Sequence, residues 1–333
     1  MGEEEVEFTP LTHDLLCESL SEIHLFVEEE GSGYAFTKLV CQEKELTNLG
    51  NLGKIDGYTH LKHVVFSSNK LSDIAPLTKM PHLLTLAVDN NQVENLGCLE
   101  EAELPWCQRI NLSSNKLKAL PSLGALQRLR FAYFGSNEIE SLEGFGSHPV
   151  LEELDLQENK LTSLKGLGQL ESLRRLVLTG NQLTSLEGLD TPSLAHLDVA
   201  KNQLAALEFI DGAPECKVLD ISGNQLVGED PELPEIRRLG TETRKLQDLR
   251  IAGNPVADGW GESCKIEILV RAPQLLRVDE EELTAEDREA AKVREQELIE
   301  EARQREAERL AAEQAEAEAA AAAAAEENAE EGG

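Results

Sequence analysis

The side chains best suited to recognition chemistry stand in two series whose members are about 22 positions apart. Aromatic rings and arginines most often dominate protein interfaces, and aspartates attract Lys or Arg from a partner. Only 4% of the residues are aromatic, so a phenylalanine and a tyrosine two positions apart are informative. We predict one partner-binding surface, formed by Arg109, Phe131, Tyr133, Asp155, Arg175, Asp198 and Asp220.

Catalytic chemistry has no comparable support. The seven histidines are spread along the chain, and none stands in a recognised frame with a Cys or Ser. The sequence contains no HExxH motif, no phosphate-binding glycine loop and no zinc-ligand spacing. It therefore predicts a protein that is not an enzyme and that binds no cofactor, metal or small-molecule substrate.

The spacing of these residues belongs to a repeat that is marked by asparagine. Each asparagine follows apolar residues at distances of three, five and eight positions, as in LRRLVLTGN at 173–181. FTKLVCQEK at 36–44 keeps the apolar spacing but has Lys44 in the asparagine position. The steps between asparagines are 22, 24, 22, 22, 22, 21, 22 and 30 residues. The asparagines are Asn69, Asn91, Asn115, Asn137, Asn159, Asn181, Asn202, Asn224 and Asn254.

This pattern, LxxLxLxxN, resembles the leucine-rich repeat. We predict an α/β solenoid, a curved rod of about ten 22-residue repeats between residues 36 and 275, with short parallel strands on its concave face. Residues beside the LxL leucines point outward from that face, which predicts that Phe131 and Tyr133 are exposed side by side. An amide can donate and accept, so we expect stacked asparagines to satisfy each other's turns.

The repeats need covers at both ends, because no single coil buries its own core. Residues 11–26 have one apolar face and predict a capping helix with Thr12 at its start, while residues 264–279 predict a helix, a turn and a closing segment. The predicted domains are an acidic segment with a capping helix at 1–35, the leucine-rich-repeat domain with its C-terminal cap at 36–279 and a charged Ala/Glu-rich helical tail at 280–333.

Two segments depart from the regular repeat. The insertion at 227–245 predicts a surface loop on the return side of the coils, with a docking loop as the alternative. In the tail, Thr284 followed by Asp287 resembles a helix start. We predict a solitary helix from about 284 to about 320 and disorder at its acidic end.

Charge and composition exclude several classes of function. The net charge of −32 argues against duplex nucleic acid and against anionic membrane surfaces as partners. The sequence contains no run of about 18 apolar residues, so no membrane span is predicted. MGEEEVEFTP has no secretion-signal features. The six scattered cysteines predict reduced thiols in a cytosolic type of compartment.

The N-terminal half carries a closer resemblance. GYAFTKLVCQEKELTNLGNL at 33–52, followed by YTHLKHVVFSSNKLSDIAPLTKMPHLLTLAVDNNQV at 58–93, resembles the radial-spoke leucine-rich-repeat proteins of motile cilia. This resemblance implies a non-catalytic subunit of the ciliary axoneme that holds other radial-spoke proteins. The alanine tract of the tail departs from that family.

Two alternatives stay open from the residues alone. The aromatic and acidic row on the concave face would also suit a regulatory subunit that binds a protein phosphatase. An acidic-tailed chaperone of basic nuclear proteins is disfavoured, because the tail carries several arginines.

Overall fold

The computed structural model describes residues 9–28, 31–50, 52, 58–227 and 234–330. Within these residues a single 13-stranded sheet follows the order of the chain. Neighbouring strands from β2 to β12 are parallel, and β1 and β13 are antiparallel additions at the two ends. The strands are β1 (Leu20–Glu28), β2 (Gly31–Val40), β3 (His63–Val65), β4 (Thr85–Ala87), β5 (Arg109–Asn111), β6 (Phe131–Tyr133), β7 (Glu153–Asp155), β8 (Arg175–Val177), β9 (His196–Asp198), β10 (Val218–Asp220), β11 (Asp248–Arg250), β12 (Arg277–Val278) and β13 (Glu281–Glu282).

Helices are concentrated at the ends of the molecule, and the return segments between the strands are mostly turns with a few 3₁₀ helices. A coil of about 22 residues leaves little chain for a full α-helix once its strand and two turns are formed. The α-helices are α1 (His13–Ser19), α2 (Pro234–Thr241), α3 (Pro255–Trp260), α4 (Cys264–Arg271) and α5 (Ala285–Glu330). The 3₁₀ helices are Ala75–Leu77, Gly97–Leu99, Ile210–Gly212 and Gly261–Ser263.

The core is aliphatic and continuous along the rod. In one central coil, Leu151 and Leu154 on the strand side and Leu164 on the return side have no exposed surface. Each buried leucine contributes roughly 1.5–3 kcal/mol before conformational entropy is counted. Equivalent residues of successive coils join one hydrophobic cluster. The leucine-rich-repeat solenoid predicted from the spacing is confirmed.

The asparagine ladder runs inside this core and bonds to the backbone. The Asn159 Nδ2 donates to the carbonyl oxygens of Phe134 and Leu156 at 3.0 Å each, and its Oδ1 accepts from the Ile139 N–H at 3.0 Å. The other ladder asparagines repeat this arrangement with their own and the preceding coil. As expected, each amide satisfies backbone groups in the turn of a neighbouring coil, because the preceding coil presents a backbone donor and acceptor to it.

The N-terminal cover differs from the helix predicted over 11–26. The α1 helix begins after Thr12, whose hydroxyl accepts from the Leu15 N–H at 3.3 Å as expected, but the helix ends at Ser19. The next residue begins β1, which pairs with β2 as an antiparallel hairpin. The apolar residues of β1 alternate with polar ones over part of its length, so the pattern is compatible with the period of a strand as well as that of a helix. Pairing with β2 selects the strand.

The insertion at 227–245 contributes to the core instead of forming only a surface loop. Its residues 228–233 lie outside the described residues, but α2 follows, with Ile236 and Leu239 buried. The α2 helix packs closely on the end of α4, since a Cβ at Gly240 would lie 2.1 Å from the Arg271 carbonyl oxygen. The predicted helix, turn and short closing strand at 264–279 are confirmed by α4 and β12.

The tail helix α5 is longer than predicted and is not solitary. Thr284 and Asp287 form the predicted reciprocal cap, with the Thr284 N–H donating to the Asp287 carboxylate at 2.8 Å. Helix α5 has 46 residues and spans roughly 70 Å at 1.5 Å per residue. Its first turns pack against α4, where Ala291 is buried. Disorder was expected near the acidic end, but the chain is helical through Glu330, and 331–333 lie outside the described residues.

Candidate partner-binding surface

Strand register brings the predicted recognition residues into two adjacent rows on the concave face. In the first row Arg109 pairs with Phe131, which pairs with Glu153, which pairs with Arg175. The second row is formed by Asn111, Tyr133, Asp155, Val177, Asp198 and Asp220. The middle residue of each of these strands is buried in the core. The strands therefore hold both rows at fixed spacing.

Tyr133 forms one connected unit with four other side chains, those of Arg109, Phe131, Glu153 and Arg175. The Arg109 guanidinium carbon lies 4.4 Å from the Phe131 ring centroid and 5.5 Å from the Tyr133 centroid. Arg109 donates to the Tyr133 hydroxyl at 3.1 Å, and that hydroxyl donates to the Glu153 carboxylate at 3.1 Å. The Glu153 carboxylate also lies 3.3 Å from the Arg175 Nε. We call these five residues the aromatic–arginine cluster.

The two aromatic rings are half-buried, so the prediction that they are exposed side by side is wrong. Arg109 covers Phe131 on one side, and the Arg130 guanidinium carbon lies 5.5 Å from the same ring centroid. Arg130 is itself held by Glu152 at 2.7 Å. Cation–π contacts at such partly exposed sites contribute about 0.5–1 kcal/mol each. The cluster is therefore positioned before any partner arrives.

Glu153 is a member of the cluster that our site prediction missed. It is half-buried between Tyr133 and Arg175 and accepts from or pairs with both. Burial raises the pKa of the Tyr133 hydroxyl, and the neighbouring Glu153 carboxylate raises it further. The tyrosine therefore stays protonated and keeps donating at neutral pH. The available signal was the 22-residue spacing of Glu153 from both Phe131 and Arg175.

The three predicted aspartates have a structural task in their own coils. Each carboxylate accepts from the backbone N–H two residues later, at 2.9 Å for Asp155, 3.1 Å for Asp198 and 3.0 Å for Asp220. Asn111 does the same with the Ser113 N–H at 3.1 Å. This local bond fixes the turn that follows the strand. The acidic row is thus explained in part by turn formation, which the sequence analysis did not anticipate.

The electrostatic character of the concave face changes along the rod. Burial raises the pKa of Asp155, and burial together with Arg175 lowers the pKa of His196. Farther along, Asp220 is buried and its carboxylate lies 3.5 Å from Arg250. Arg277 lies 2.7 Å from Asp248 in the other row. The acidic side chains of β10 and β11 are therefore paired with arginines of the following strands.

Groups for other kinds of chemistry are sparse in the described part of the chain. There, no three His, Cys, Asp or Glu side chains are grouped closely enough to hold a metal ion. Burial raises the pKa of the Cys107 and Cys216 thiols to about 12, which makes them core groups instead of nucleophiles. Each helix within the described ranges is too short or too polar to cross a membrane.

The fold is that of a leucine-rich-repeat solenoid, an architecture whose stiff curved face serves protein–protein interaction. The family model described as "Leucine Rich repeats (2 copies)" matches residues 149–191. The crystal structure of the leucine-rich repeat domain of APL1B matches with a TM-score of 0.56 at 20% identity, over 73% of this chain and 68% of that chain. The matched family and structure are those of repeat proteins and indicate no enzyme family.

Among individual proteins, the chain is similar to leucine-rich repeat-containing protein 23. It is 35% identical to the Homo sapiens protein over 109 residues, which are 33% of this chain and 29% of that protein. It is 34% identical to the Bos taurus protein over 109 residues, which are 33% of this chain and 30% of that protein. The match thus spans less than a third of the length of either relative. The resemblance seen in the sequence is confirmed as similarity to this protein.

Proposed function

We propose that the chain is a non-catalytic structural subunit of the ciliary axoneme, a radial-spoke scaffold that holds neighbouring spoke subunits and supports ciliary motility. The radial-spoke family that the N-terminal half resembles includes, in animals, leucine-rich repeat-containing protein 23. Similarity to that protein is the observation that carries the proposal. Its partners are other radial-spoke and axonemal proteins, and its site is the ciliary or flagellar axoneme.

The concave face supports a holding role. Arg109, Phe131 and Tyr133 are linked to each other across two coils before binding, so little side-chain freedom is lost when a partner docks. Aromatic and Arg groups in this arrangement are the usual anchors of an interface. The proposal assigns partner contact to Arg109, Phe131 and Tyr133 together with Asp155, Arg175, Asp198 and Asp220.

The tail supports a bridging role. The Arg294 Nε donates to the buried Glu267 carboxylate at 2.8 Å, which fastens the start of α5 to the repeat domain. Val293 beside this contact, and Ile299 and Leu310 beyond it, are exposed on the helix. A helix that is fixed at one end and long at the other can reach a subunit that the concave face does not touch.

Removal of the chain from a ciliated cell tests the function directly. We expect radial-spoke proteins to be depleted from detergent-extracted axonemes and the beat to weaken, as measured by quantitative mass spectrometry and high-speed imaging. Unchanged spoke composition with a normal beat would contradict the proposal.

Two matched double variants separate the concave face from the rest of the surface. Arg109→Ala with Phe131→Ala removes the cation–π pair of the cluster. Trp106→Ala with Arg128→Ala removes a similar pair, 3.9 Å from guanidinium carbon to ring centroid, outside the strands. We expect only the first variant to lose spoke proteins from immunoprecipitates. Equal loss from both would reject the concave face as the contact, and recovery of a phosphatase instead of spoke proteins would favour the regulatory alternative.

A further inference from the structure

The N-terminal hairpin carries a group of exposed apolar side chains that lie together. Ile23 is directly opposite Phe36, and Leu25 is directly opposite Tyr34. Their exposed fractions are 59%, 43%, 60% and 77% respectively. Directly opposed residues of an antiparallel pair share one face of the sheet. These four side chains, which we call the hairpin patch, therefore form a contiguous apolar surface.

The hairpin projects beyond the first regular coil. β2 has 10 residues, but only its last three pair with β3. The junction is held by Thr37, whose hydroxyl donates to the Glu22 carbonyl at 2.8 Å, and by Lys38, whose ammonium donates to the Glu22 carboxylate at 2.8 Å. Within the described part of the chain, residues 31–36 of β2 therefore pair on one side only, with β1.

Among the described residues, strand β1 is also the edge of the sheet. Its outer backbone groups face away from β2 over nine residues. An edge of this length is a template for another extended chain, and a two-stranded hairpin is only marginally stable by itself in water. A third strand added to β1 would pair those groups and cover Ile23 and Leu25.

Charge selects among the possible occupants of this edge. Residues 1–37 contain ten Asp or Glu and no Lys or Arg. Glu18 and Glu22 are exposed, and Glu22 is paired with Lys38, a basic residue of the hairpin. A second copy of this chain would bring the same acidic segment and a net charge of −32, so self-association through β1 is opposed by like-charge repulsion. A basic segment would be attracted.

We propose that the edge of β1 and the hairpin patch form a docking site for an extended segment of a partner protein in which basic and apolar residues alternate. The segment adds to β1 as a further strand through main-chain hydrogen bonds. Its apolar residues cover the patch, and its Lys or Arg side chains face the acidic surroundings. This site is separate from the aromatic–arginine cluster and does not depend on the proposed ciliary role.

A peptide titration tests the site. The probe is a fluorescent nine-residue peptide that alternates lysine with valine or isoleucine, the length of β1; its control has glutamate in place of lysine. Fluorescence anisotropy with the full chain should give saturable binding of the basic peptide that weakens as salt rises. The acidic peptide should bind at least about tenfold more weakly.

Variants locate the binding. Leu25→Thr with Tyr34→Thr keeps strand-forming residues while removing apolar surface, and Val150→Thr makes a similar change at an exposed residue outside the hairpin. The first should weaken binding at least about tenfold, and the second should leave it unchanged. No binding, equal binding of the two peptides, or equal binding by both variants would overturn the proposal. So would a dimer in sedimentation equilibrium that Leu25→Thr with Tyr34→Thr abolishes, since a second copy would then be the occupant.

Discussion

Each end of the rod must cover the hydrophobic core of its terminal coil, and the two ends do so with different contacts. At the C-terminal end, α2, α4 and α5 pack over the last coils, and their apolar residues Ile236 and Ile268 are almost completely buried. At the N-terminal end, α1 buries Leu16 against the first coil, but the attached hairpin leaves Leu25 and Tyr34 exposed. The C-terminal cover buries the end of the core with residues of its own helices. The N-terminal cover closes the core and still presents apolar surface, which is the property of a docking element.

The ion pairs at the two ends also differ in their burial. Glu267 joins Arg271 at 2.7 Å and Arg294 at 2.8 Å, and its side chain is 10% exposed. At the hairpin, the ion pair between Glu22 and Lys38 is largely open to water, where such pairs contribute about 0–1 kcal/mol. The carboxylate of Asp279 also closes the last coil by accepting from the Ile251 N–H at 2.8 Å. The ion pairs of Glu267 at the C-terminal end are thus buried, whereas the ion pair at the hairpin is exposed.

The largest expected difference between the ends is in apolar truncation. Ile268→Ala should lower the free energy of unfolding by about 2–5 kcal/mol, because it leaves a cavity in the C-terminal cover. Leu25→Ala should change it by less than about 0.5 kcal/mol, because the side chain is exposed. Urea denaturation followed by circular dichroism measures both. Similar losses for the two variants would break the comparison.

A ladder asparagine of an interior coil shows how much a buried polar side chain contributes to the free energy of unfolding. Asn159→Leu should lower the free energy of unfolding by about 1–3 kcal/mol for each backbone group left unpaired. The group left unpaired is the Ile139 N–H, since the Phe134 carbonyl still accepts from the Asn137 Nδ2 at 2.9 Å. Asn95→Leu is the control, because Asn95 is exposed and its side chain accepts only from the Gly97 N–H among the contacts described. Indistinguishable thermal melts of the parent and Asn159→Leu would contradict the ladder account.

The buried carboxylate of the C-terminal end predicts a pH dependence. Burial acts to raise the pKa of Glu267, but hydrogen bonds from Arg271 and Arg294 outweigh it, so the pKa lies below the ordinary 4.5. Its contribution is therefore fully present above about pH 4.5 and is lost as pH falls through the lower, folded-state pKa. Glu267→Gln should cost about 1.5–3 kcal/mol at pH 7.

Melting temperatures between pH 3 and pH 7 check this assignment. The drop on acidification should be smaller for Glu267→Gln than for the parent chain. Glu289→Gln is the control, since Glu289 pairs with Lys292 on the exposed side of α5, and its pH profile should follow the parent. A parent-like profile for Glu267→Gln would remove the buried ion group from the account of the C-terminal end.

A small loss of stability is expected from a substitution on the concave face, between the two ends. Tyr133→Phe removes the hydroxyl that connects Arg109 to Glu153 and should lower the free energy of unfolding by about 0.5–1.5 kcal/mol. The ring and its packing are kept, so a larger loss would mean that the cluster supports the fold more than it offers a surface. Urea denaturation of the variant beside the parent measures it.

Residues that repeat at a fixed period were predictable from the sequence. The step of about 22 residues fixed the strand register, the core leucines and the position of Asn159 relative to the next coil. Local signals also identified the start of α1 at Thr12 and the cap of α5 at Thr284 and Asp287. These features depend on a residue and its near neighbours in sequence or in the repeat.

Features that depend on a specific partner elsewhere in the chain were not predictable. The segment after Ser19 has apolar residues compatible with a helix or a strand, and pairing with β2 selects the strand. The half-burial of Phe131 depends on Arg109 and Arg130 lying over its ring, which spacing alone does not give. The contacts of Glu153 with Tyr133 and Arg175 depend on side-chain packing in the same way, whereas the turn bond of Asp155 to the Gln157 N–H is local and was overlooked.

Hydrogen exchange of the isolated full chain, read by mass spectrometry, tests the difference between the ends most directly. We predict that the amides of β1 and of residues 31–36 exchange fast, while those of β7 and α4 are protected by buried neighbours. Addition of the basic alternating peptide should slow exchange in β1 and leave β7 unchanged. Protection of the hairpin equal to that of α4 in the isolated chain would contradict the account, because the N-terminal end would then be as complete as the C-terminal one.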